Sequence, residues 1–276
     1  MALVINTNIS SLEAQKSLSQ SQMRLSSTFQ KLSSGLRINT AADDASGLAI
    51  SENMQAQIRS YMVAERNANN AVSMAQVAEG GLGQVSGILS RMRELSVQGA
   101  NGDLTTTDRD YLNTEFVALR DEIDRLMTST KFNNKELLSG PATTIDFQVG
   151  ISTTAADKIA VGFGNVTLAS LGLDTATVTG ADATNSLTSI DAVEGAIALV
   201  SARRADYGAV MNRLQVTVAN TQSIRTNLTS ANSRIRDVDV AEESAAMARL
   251  QVLSQAGVSV LAQANQAPQL AMSLLK

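Results

Sequence analysis

Apolar residues recur at steps of three and four along most of this chain, including both of its ends. Leu18, Leu25 and Leu32 follow this spacing near the start, and Leu250 and Leu253 follow it near the finish. Such steps place apolar side chains along one side of a helix, and that side must be buried against another helix. Chain ends are usually polar and frayed. Because both ends are apolar here, the pattern favours a surface that a second copy of the chain completes.

The composition permits long helices. Pro141 and Pro268 are the only prolines among 276 residues, so few positions interrupt a helix. Aromatic residues make up 3% of the chain and Trp is absent. This mixture suits closely packed helices better than a ligand pocket lined by aromatic rings.

Helix signals divide the first half of the chain. The spacing predicts a helix from Ser10 to Ser34, which Gly35 ends at the C′ position. A second helix is expected to begin at Asp43 or Asp44, since either side chain can cap it, and to run to Leu95.

Two further signals concern the second and third helices. The glycines between positions 80 and 83 are a weak point at which the second helix can bend. Thr107 with Asp110 resembles a capping box in which Asp replaces the usual Glu or Gln. It predicts a third helix that ends before Asn133.

The segment from Thr143 to Val178 has a different texture, rich in Thr, Val, Ile and Gly. Its apolar residues alternate with polar residues or Gly, which indicates two short strands that form a hairpin. The alternating residues are Ile145, Phe147, Val149 and Ile151 in the first strand, and Ile159, Val161 and Phe163 in the second.

Helix resumes near Thr188 and keeps one spacing for more than four heptads, which argues for a coiled coil. Four polar residues interrupt this stripe, and polar positions of this kind commonly set the register of packed helices. Its members are Val193, Ile197, Val200, Arg204, Tyr207, Met211, Leu214, Val218, Thr221, Arg225, Leu228, Asn232 and Ile235. A polar hinge from Arg236 to Glu243 precedes the final helix.

These patterns predict a mainly α fold: a long nested antiparallel helical bundle or coiled coil, with the N- and C-terminal helices paired and a small insertion that contains a β-hairpin. We expect three parts. Residues 1–40 with 238–276 form the terminal coiled coil, residues 41–140 with 186–237 form an inner helical rod, and residues 141–185 are short and β-rich.

The chain contains no His and no Cys. Ser-His-Asp catalysis, His-based acid–base catalysis, His-ligated zinc and thiolate chemistry are thereby excluded. The acidic group of Asp121, Glu122 and Asp124 lies beside arginines, and a solvated helix face accounts for it better than paired-carboxylate catalysis. We therefore predict no enzyme activity, no catalytic residue, no cofactor and no metal.

The charge and hydropathy patterns limit the partners and the location. Net charge is −4 with no basic block, which argues against nucleic-acid binding. No apolar run approaches about 18 residues, so no membrane insertion is expected. The first residues also lack the basic and apolar regions of a cleavable secretory signal.

Several longer motifs at the two ends resemble one family, the bacterial flagellins, over about residues 1–140 and 186–276. The motifs are Ile5-Asn-Thr-Asn-Ile-Ser-Ser-Leu, Lys31-Leu-Ser-Ser-Gly-Leu-Arg-Ile-Asn, Ala42-Asp-Asp-Ala-Ser-Gly-Leu-Ala-Ile, Leu228-Thr-Ser-Ala-Asn-Ser-Arg-Ile-Arg-Asp-Val-Asp, Gln255-Ala-Gly-Val-Ser-Val-Leu-Ala-Gln-Ala-Asn-Gln and Ser273-Leu-Leu-Lys. Motifs of this length, in this order, are highly specific.

The resemblance implies a subunit of the flagellar filament, used for swimming motility, exported unfolded through the type III apparatus and assembled at the filament tip outside the cell. Its partners would be further copies of itself, the cap and hook-junction proteins, and a secretion chaperone that binds the C-terminal region. The residues expected to carry self-assembly are Ile5, Ile9, Leu12, Leu18, Leu25, Leu32, Leu250, Leu253, Val260, Leu261, Leu274 and Leu275.

The resemblance also implies a patch for an innate receptor of animal hosts, Toll-like receptor 5. Arg91, Leu95 and Glu115 match the residue types with which the family contacts this receptor.

Alternatives to a filament subunit stay open at this point. From periodicity alone, an ordinary intramolecular helical bundle explains the apolar stripes equally well. Within the family, a hook–filament junction protein shares the terminal patterns. A secreted protease carried in the variable region is disfavoured by the lack of His, and a monomeric immune-modulating effector is a further alternative.

Overall fold

The structure is a computed structural model that describes residues 7–273, with side chains described as far as Gln266. Five long helices carry most of the chain, and two short hairpins interrupt them. The elements are α1 (Ile9–Ser34), α2 (Ala45–Gly99), α3 (Thr106–Ser129), β1 (Lys131–Phe132), β2 (Lys135–Glu136), β3 (Thr143–Gln148), a 3-10 turn (Ala155–Asp157), β4 (Lys158–Phe163), α4 (Thr184–Arg236) and α5 (Val240–Ser273). This architecture confirms the predicted mainly helical fold with small antiparallel hairpins.

The contacts divide the chain into two compact units. The inner unit is Arg59–Arg225, and the terminal unit comprises Met1–Ile58 with Thr226–Lys276. The helices α2 and α4 each contribute residues to both units.

The core of the inner unit lies between α2, α3, α4 and the two hairpins. Small residues at helical spacing on α2, among them Ala71, Ala75 and Ala78, are fully buried and allow neighbouring backbones to approach closely. Further along the same face, large apolar side chains take over, of which Leu82 and Leu89 are fully buried. Close packing therefore requires neighbouring elements to lie nearer to α2 along its small residues than along its large ones.

Ion pairs join α2 and α4 in antiparallel order. Arg204 Nη2 lies 2.7 Å from Glu79 Oε1, and Arg93 Nη2 lies 3.2 Å from Glu194 Oε2. Arg204 is one of the polar members of the predicted α4 stripe, and its partner explains why a charge is tolerated there. Because each arginine has its partner at one position of the other helix, the two ion pairs favour a single register between α2 and α4.

The hairpins follow the predicted alternation. In the β3–β4 pair Ile145 faces Val161 and Phe147 faces Ile159. The ring of Phe163 stacks on that of Tyr207 with centroids 5.7 Å apart, and burial raises the pKa of the Tyr207 phenol to about 12. The shorter β1–β2 hairpin, which was not predicted, turns through Asn133 and Asn134, both at positive φ.

The predicted end of α1 and start of α2 agree with the structure, whereas the predicted starts of α3 and α4 differ from it. Gly35 ends α1 at a φ of 70°, and Asp44 caps α2 by accepting a hydrogen bond from the Gly47 backbone N–H at 2.9 Å. The glycines between 80 and 83 do not interrupt α2. The start of α4 lies four residues before the predicted Thr188, at Thr184.

The predicted capping box of α3 is wrong by two residues. The box forms between Thr105 and Asp108, whose carboxylate accepts hydrogen bonds from the Thr105 backbone N–H and hydroxyl. Asp110 instead accepts a hydrogen bond from the Thr179 hydroxyl at 2.6 Å. Arg109 lies next to this cap in the first turns of α3 and is buried.

Arg109 links three backbone segments. Its guanidinium is 2% exposed and donates hydrogen bonds to the carbonyl oxygens of Gly99, Asn101 and Ala181, at 3.0, 3.0 and 3.3 Å. Two of these carbonyls lie at the end of α2, where helix geometry leaves acceptors without partners. The sequence offered no signal for this role.

Candidate assembly surface

The helices α1 and α5 pack on each other in antiparallel order. Near their ends Asn8 Nδ2 donates a hydrogen bond to the Ala264 carbonyl oxygen at 2.8 Å, and the Ser11 hydroxyl donates to Asn265 Oδ1 at 2.8 Å. Further along, a Cβ placed on Gly257 would lie 3.2 Å from Leu18 Cδ1. These contacts define one side of each helix as the side that faces its partner.

The facing side of this pair is built largely from small and polar residues. At steps of three and four, its half-buried or buried members form what we call the packing stripe. On α1 the stripe comprises Asn8, Ser11, Ala14, Leu18, Ser21, Leu25, Thr28 and Leu32, and on α5 it comprises Met247, Leu250, Ser254, Gly257, Leu261 and Ala264. The buried residues of α1 are Ser11 and Thr28, so no large apolar side chain of this helix is buried.

A second set of apolar side chains on the same two helices is exposed to solvent. We call this set the exposed apolar residues. They are Ile9, Leu12, Met23 and Phe29 on α1, and Val240, Val252, Leu253, Val258 and Val260 on α5. Ile9 is 64% exposed and Leu12 is 57% exposed. Large exposed apolar patches are typical of protein–protein interfaces, and a helix that is apolar all round is normally buried.

The predicted self-assembly residues therefore fall into two groups. The packing stripe contains Leu18, Leu25, Leu32, Leu250 and Leu261. The exposed apolar set contains Ile9, Leu12, Leu253 and Val260. The remaining three, Ile5, Leu274 and Leu275, lie outside the described residues.

The predicted self-assembly residues omit five members of the exposed set, namely Met23, Phe29, Val240, Val252 and Val258. Met23 lies eleven residues, or three helical turns, after Leu12 and thus on the same face. A search for a second apolar stripe beside the first would have found it. Between Ser244 and Gln266 the only charged residue is Arg249, so the exposed set on α5 has few competing charges.

The link between α1 and α2 is held by backbone contacts within the terminal unit. Leu36 forms a bridge with Asp237, and the Arg37 backbone N–H donates to the Arg236 carbonyl oxygen at 2.6 Å. Hydrogen bonds from the Thr40 backbone and hydroxyl, and from the Asn39 backbone, hold the pKa of the Asp43 carboxyl below its usual range. This link gives the polar motif that follows Gly35 a defined conformation.

The predicted receptor residues lie in the inner unit. Arg91 Nε contacts Glu115 Oε1 at 2.8 Å and Arg91 Nη1 contacts Glu94 Oε2 at 2.8 Å, and these two carboxylates raise the pKa of the Arg91 guanidinium. Arg91 and Glu115 are exposed and adjacent, whereas Leu95 is 1% exposed and belongs to the core. Their role in receptor binding stays a prediction.

Metal-binding clusters and membrane-spanning helices are absent from the residues that the structure describes. They contain no group of three or more His, Cys, Asp or Glu side chains that could hold a metal ion. None of the helices, over the part of the chain described, is both long and apolar enough to cross a membrane. In the acidic group on α3, Glu122 pairs with Arg125 at 2.6 Å and Asp121 with Arg120 at 3.5 Å, as expected for a solvated helix face.

Comparison with known proteins assigns the two halves of the chain to one family. Residues 5–143 match the family model described as the bacterial flagellin N-terminal helical region, and residues 190–275 match the model of the C-terminal helical region. A flagellin of Halalkalibacterium halodurans is 41% identical over 99% of this chain and 100% of its own length. The flagellar filament 33 kDa core protein of Treponema phagedenis is 39% identical over 99% and 100%.

Solved structures agree with this assignment. The crystal structure of Bacillus cereus flagellin is 31% identical and covers 60% of this chain and 94% of that chain, with a TM-score of 0.50. A putative flagellar hook-associated protein from Vibrio parahaemolyticus has a TM-score of 0.60 over 71% of this chain and 100% of its own, but at 17% identity it shows a shared fold alone. Nothing here favours a junction protein over a filament protein. With both halves matched and relatives about 40% identical over the full length, this chain belongs to the bacterial flagellin family.

Proposed function

We propose that this chain polymerises into the filament through α1 and α5, whose exposed apolar residues are buried by neighbouring copies. Membership of the flagellin family makes the chain a structural subunit of the bacterial flagellar filament, which serves swimming motility. The proposal concerns the mechanism, and the exposure of Ile9, Leu12, Leu253 and Val260 supports it.

The balance of burial and entropy supports the same mechanism. Ordering the 26 residues of α1 costs about 1–2 kcal/mol per residue in backbone entropy. Burial of apolar surface contributes about 25 cal/mol per Å2. The two helices contain no fully buried Leu among the side chains described, up to Gln266, and so offset little of this cost. Burial of the exposed apolar set against other copies supplies the missing contribution, so ordering and assembly are coupled.

The remaining partners belong to the same proposal. Subunits pass unfolded through the export apparatus, bound beforehand by a chaperone at the C-terminal region, and are placed at the tip outside the cell beneath the cap protein. At the other end the filament joins the hook-junction proteins. Arg91 and Glu115 contribute to contacts with Toll-like receptor 5, while Leu95 acts from the core by holding their helix in place.

Hydrogen exchange tests the coupling of order to assembly. The full chain is compared as soluble monomer and as filament, and amide protection is read for α1, α5 and the inner unit. We expect α1 and α5 to be protected only in the filament, and the inner unit to be protected in both states. Equal protection of α1 in monomer and filament would contradict the proposal.

A further inference from the structure

The two sequence motifs at the ends of the chain meet in the structure. The first contains Asn8 and Ser11, and the second contains Ala264 and Asn265. Two side-chain hydrogen bonds of 2.8 Å join them across more than 250 residues of sequence. Ser11 is 8% exposed, and Asn265 Oδ1 accepts the hydrogen bond of its hydroxyl.

Polar side chains at this contact contribute little to the affinity between the two helices. An apolar side chain at position 11 would bury more apolar surface, whereas the buried Ser11 hydroxyl must be hydrogen-bonded to avoid a cost. The best-attested use of such polar side chains is to select one register among several, because every other register leaves a buried donor or acceptor without a partner.

The rest of the packing stripe does not select a register as sharply. Its leucines recur on both helices and can meet one another in several alignments. If α5 slipped by about one turn, Ser11 would lie opposite Leu261 in place of Asn265, since the helices are antiparallel. The buried Ser11 hydroxyl would then lose its hydrogen bond to Asn265, whereas the exposed Asn265 amide can bond to water instead.

We propose that Ser11 and Asn265, assisted by Asn8, set the register of the terminal helix pair and thereby position its exposed apolar residues for neighbouring copies. A slip of one turn shifts all exposed apolar residues of α5 by about 5.4 Å relative to those of α1. These are positioning residues, since they act through the alignment of the helices. The inference rests on the proposed function, because alignment matters when a second copy must fit both helices at once.

The absence of native cysteine allows the register to be read by disulfide trapping. A Cβ placed on Gly257 would lie 3.8 Å from Leu18 Cβ, which is the separation typical of a disulfide. The pair L18C and G257C therefore reports the native register. The pair L18C and S254C reports a slip of three residues along the same stripe, which is close to one turn.

Both cysteine pairs are built into the full chain, assembled into filaments and oxidised, and the crosslinked fractions are compared. In the otherwise unchanged chain we expect the 18–257 disulfide to dominate. Each hydrogen bond contributes a factor of about five to the preference for one register. The ratio of the 18–254 to the 18–257 disulfide should thus rise about fivefold with Ser11→Ala, and at least as much with Asn265→Ala.

Ser10→Ala is the matched control. Ser10 is the adjacent serine, is exposed, and forms no side-chain hydrogen bond within residues 7–273. It should leave the ratio unchanged. If Ser11→Ala and Asn265→Ala give the same ratio as Ser10→Ala, the inference is overturned.

A rescue experiment covers a variant that does not assemble. When Ser11→Ala abolishes filaments, the preformed 18–257 disulfide should restore them, because it supplies the register that the hydrogen bond set. Failure of the locked chain to assemble shows that something other than register was lost, and it contradicts the inference. Failure of the unmodified chain to form filaments contradicts the proposed function, and the disulfide ratios are then compared in the soluble chain.

Discussion

The inner unit and the α1–α5 pair use helices of similar composition in opposite ways. In the inner unit Leu82, Leu89 and Phe116 are fully buried among residues of the same chain. In the α1–α5 pair the buried residues of α1 are Ser11 and Thr28, while Ile9 and Leu12 face solvent. The inner unit completes its own core, and the pair leaves its large apolar side chains for other copies to cover.

The polar contacts differ in the same sense. Ion pairs such as Arg204 with Glu79 join helices of the inner unit, where a filled core already supplies stability. Uncharged side chains of Asn8, Ser11 and Asn265 join the terminal helices. Charges on the terminal pair would be costly to bury when neighbouring copies close over it.

The largest effect is expected from truncation. Removal of Gln255–Lys276 deletes the C-terminal half of α5, including Val258 and Val260, and should abolish filament formation. The inner unit does not contain these residues, so its cooperative thermal transition, followed by circular dichroism, should stay within a few degrees of the full chain. Normal filaments from the truncated chain, seen by electron microscopy, would show that assembly does not depend on this part of the α1–α5 pair.

A cavity in the inner core should affect stability without affecting assembly directly. Leu89→Ala removes a fully buried side chain and should lower the free energy of unfolding by about 3 kcal/mol. Urea denaturation of the monomer measures this, and Val216→Ala, at an exposed position of the same unit, is the control with an expected change below about 0.5 kcal/mol. Filaments should still form at temperatures where the variant is folded.

Replacement of the buried Arg109 should lower the free energy of unfolding slightly less than Leu89→Ala does. Arg109→Met leaves the Gly99 and Asn101 carbonyls without their donor and should destabilise the inner unit by about 2–3 kcal/mol. Arg109→Lys, which keeps a donor, should recover part of the loss. The surface variant Arg66→Met should leave the midpoint of urea unfolding unchanged, and an equally small effect of Arg109→Met would contradict the role assigned to this side chain.

An exposed apolar residue of the terminal pair should affect assembly without affecting the stability of the inner unit. Leu12→Ser should reduce the free energy gained by burying this position on assembly by about 1.5 kcal/mol. The critical concentration for polymerisation should therefore rise about tenfold. Thermal unfolding of the inner unit should not change. A critical concentration equal to that of the unmodified chain, measured by sedimentation of filaments, would place Leu12 outside the assembly surface.

The smallest effect concerns the α3 cap and depends on pH. Hydrogen bonds from the Thr105 hydroxyl and backbone N–H lower the pKa of Asp108, so its carboxylate stabilises the fold above the ordinary aspartate pKa of about 4. This contribution is lost as pH falls through the lowered pKa. Asp108→Asn should therefore slightly lower the Tm at pH 7, and the difference should vanish near pH 2.

Asp103→Asn is the control for this cap. Asp103 is exposed and accepts no hydrogen bond within the described part of the chain. Its replacement should leave the Tm unchanged at both pH values. A difference for Asp108→Asn that persists near pH 2 would show that the carboxylate charge is not the cause.

Local chemistry made several features of the fold predictable. Gly35 ends α1 because glycine adopts the left-handed backbone conformation without a steric penalty. Asp44 starts α2 because its carboxylate accepts a hydrogen bond from the first turn. Alternation of apolar residues placed the β3–β4 hairpin. These features depend on residues close in sequence.

Features that depend on distant residues were not predictable in the same way. The capping box of α3 was predicted at Thr107 and Asp110 but forms between Thr105 and Asp108. Next to it, Arg109 is buried against Gly99, Asn101 and Ala181, which are distant in sequence or outside the helix. The β1–β2 hairpin was missed because strands of two residues are too short to show alternation.

The sequence by itself determined that the chain is helical, free of His and Cys, and apolar at both ends, because composition and spacing are properties of the chain alone. It also carried the family motifs. Only the tertiary structure decided which apolar residues face the partner helix and which face solvent. Apolar residues lie on more than one side of α1 and α5, so spacing alone does not decide which side packs. The structure places Ser11 against Asn265 and Leu18 against Gly257 on the facing side.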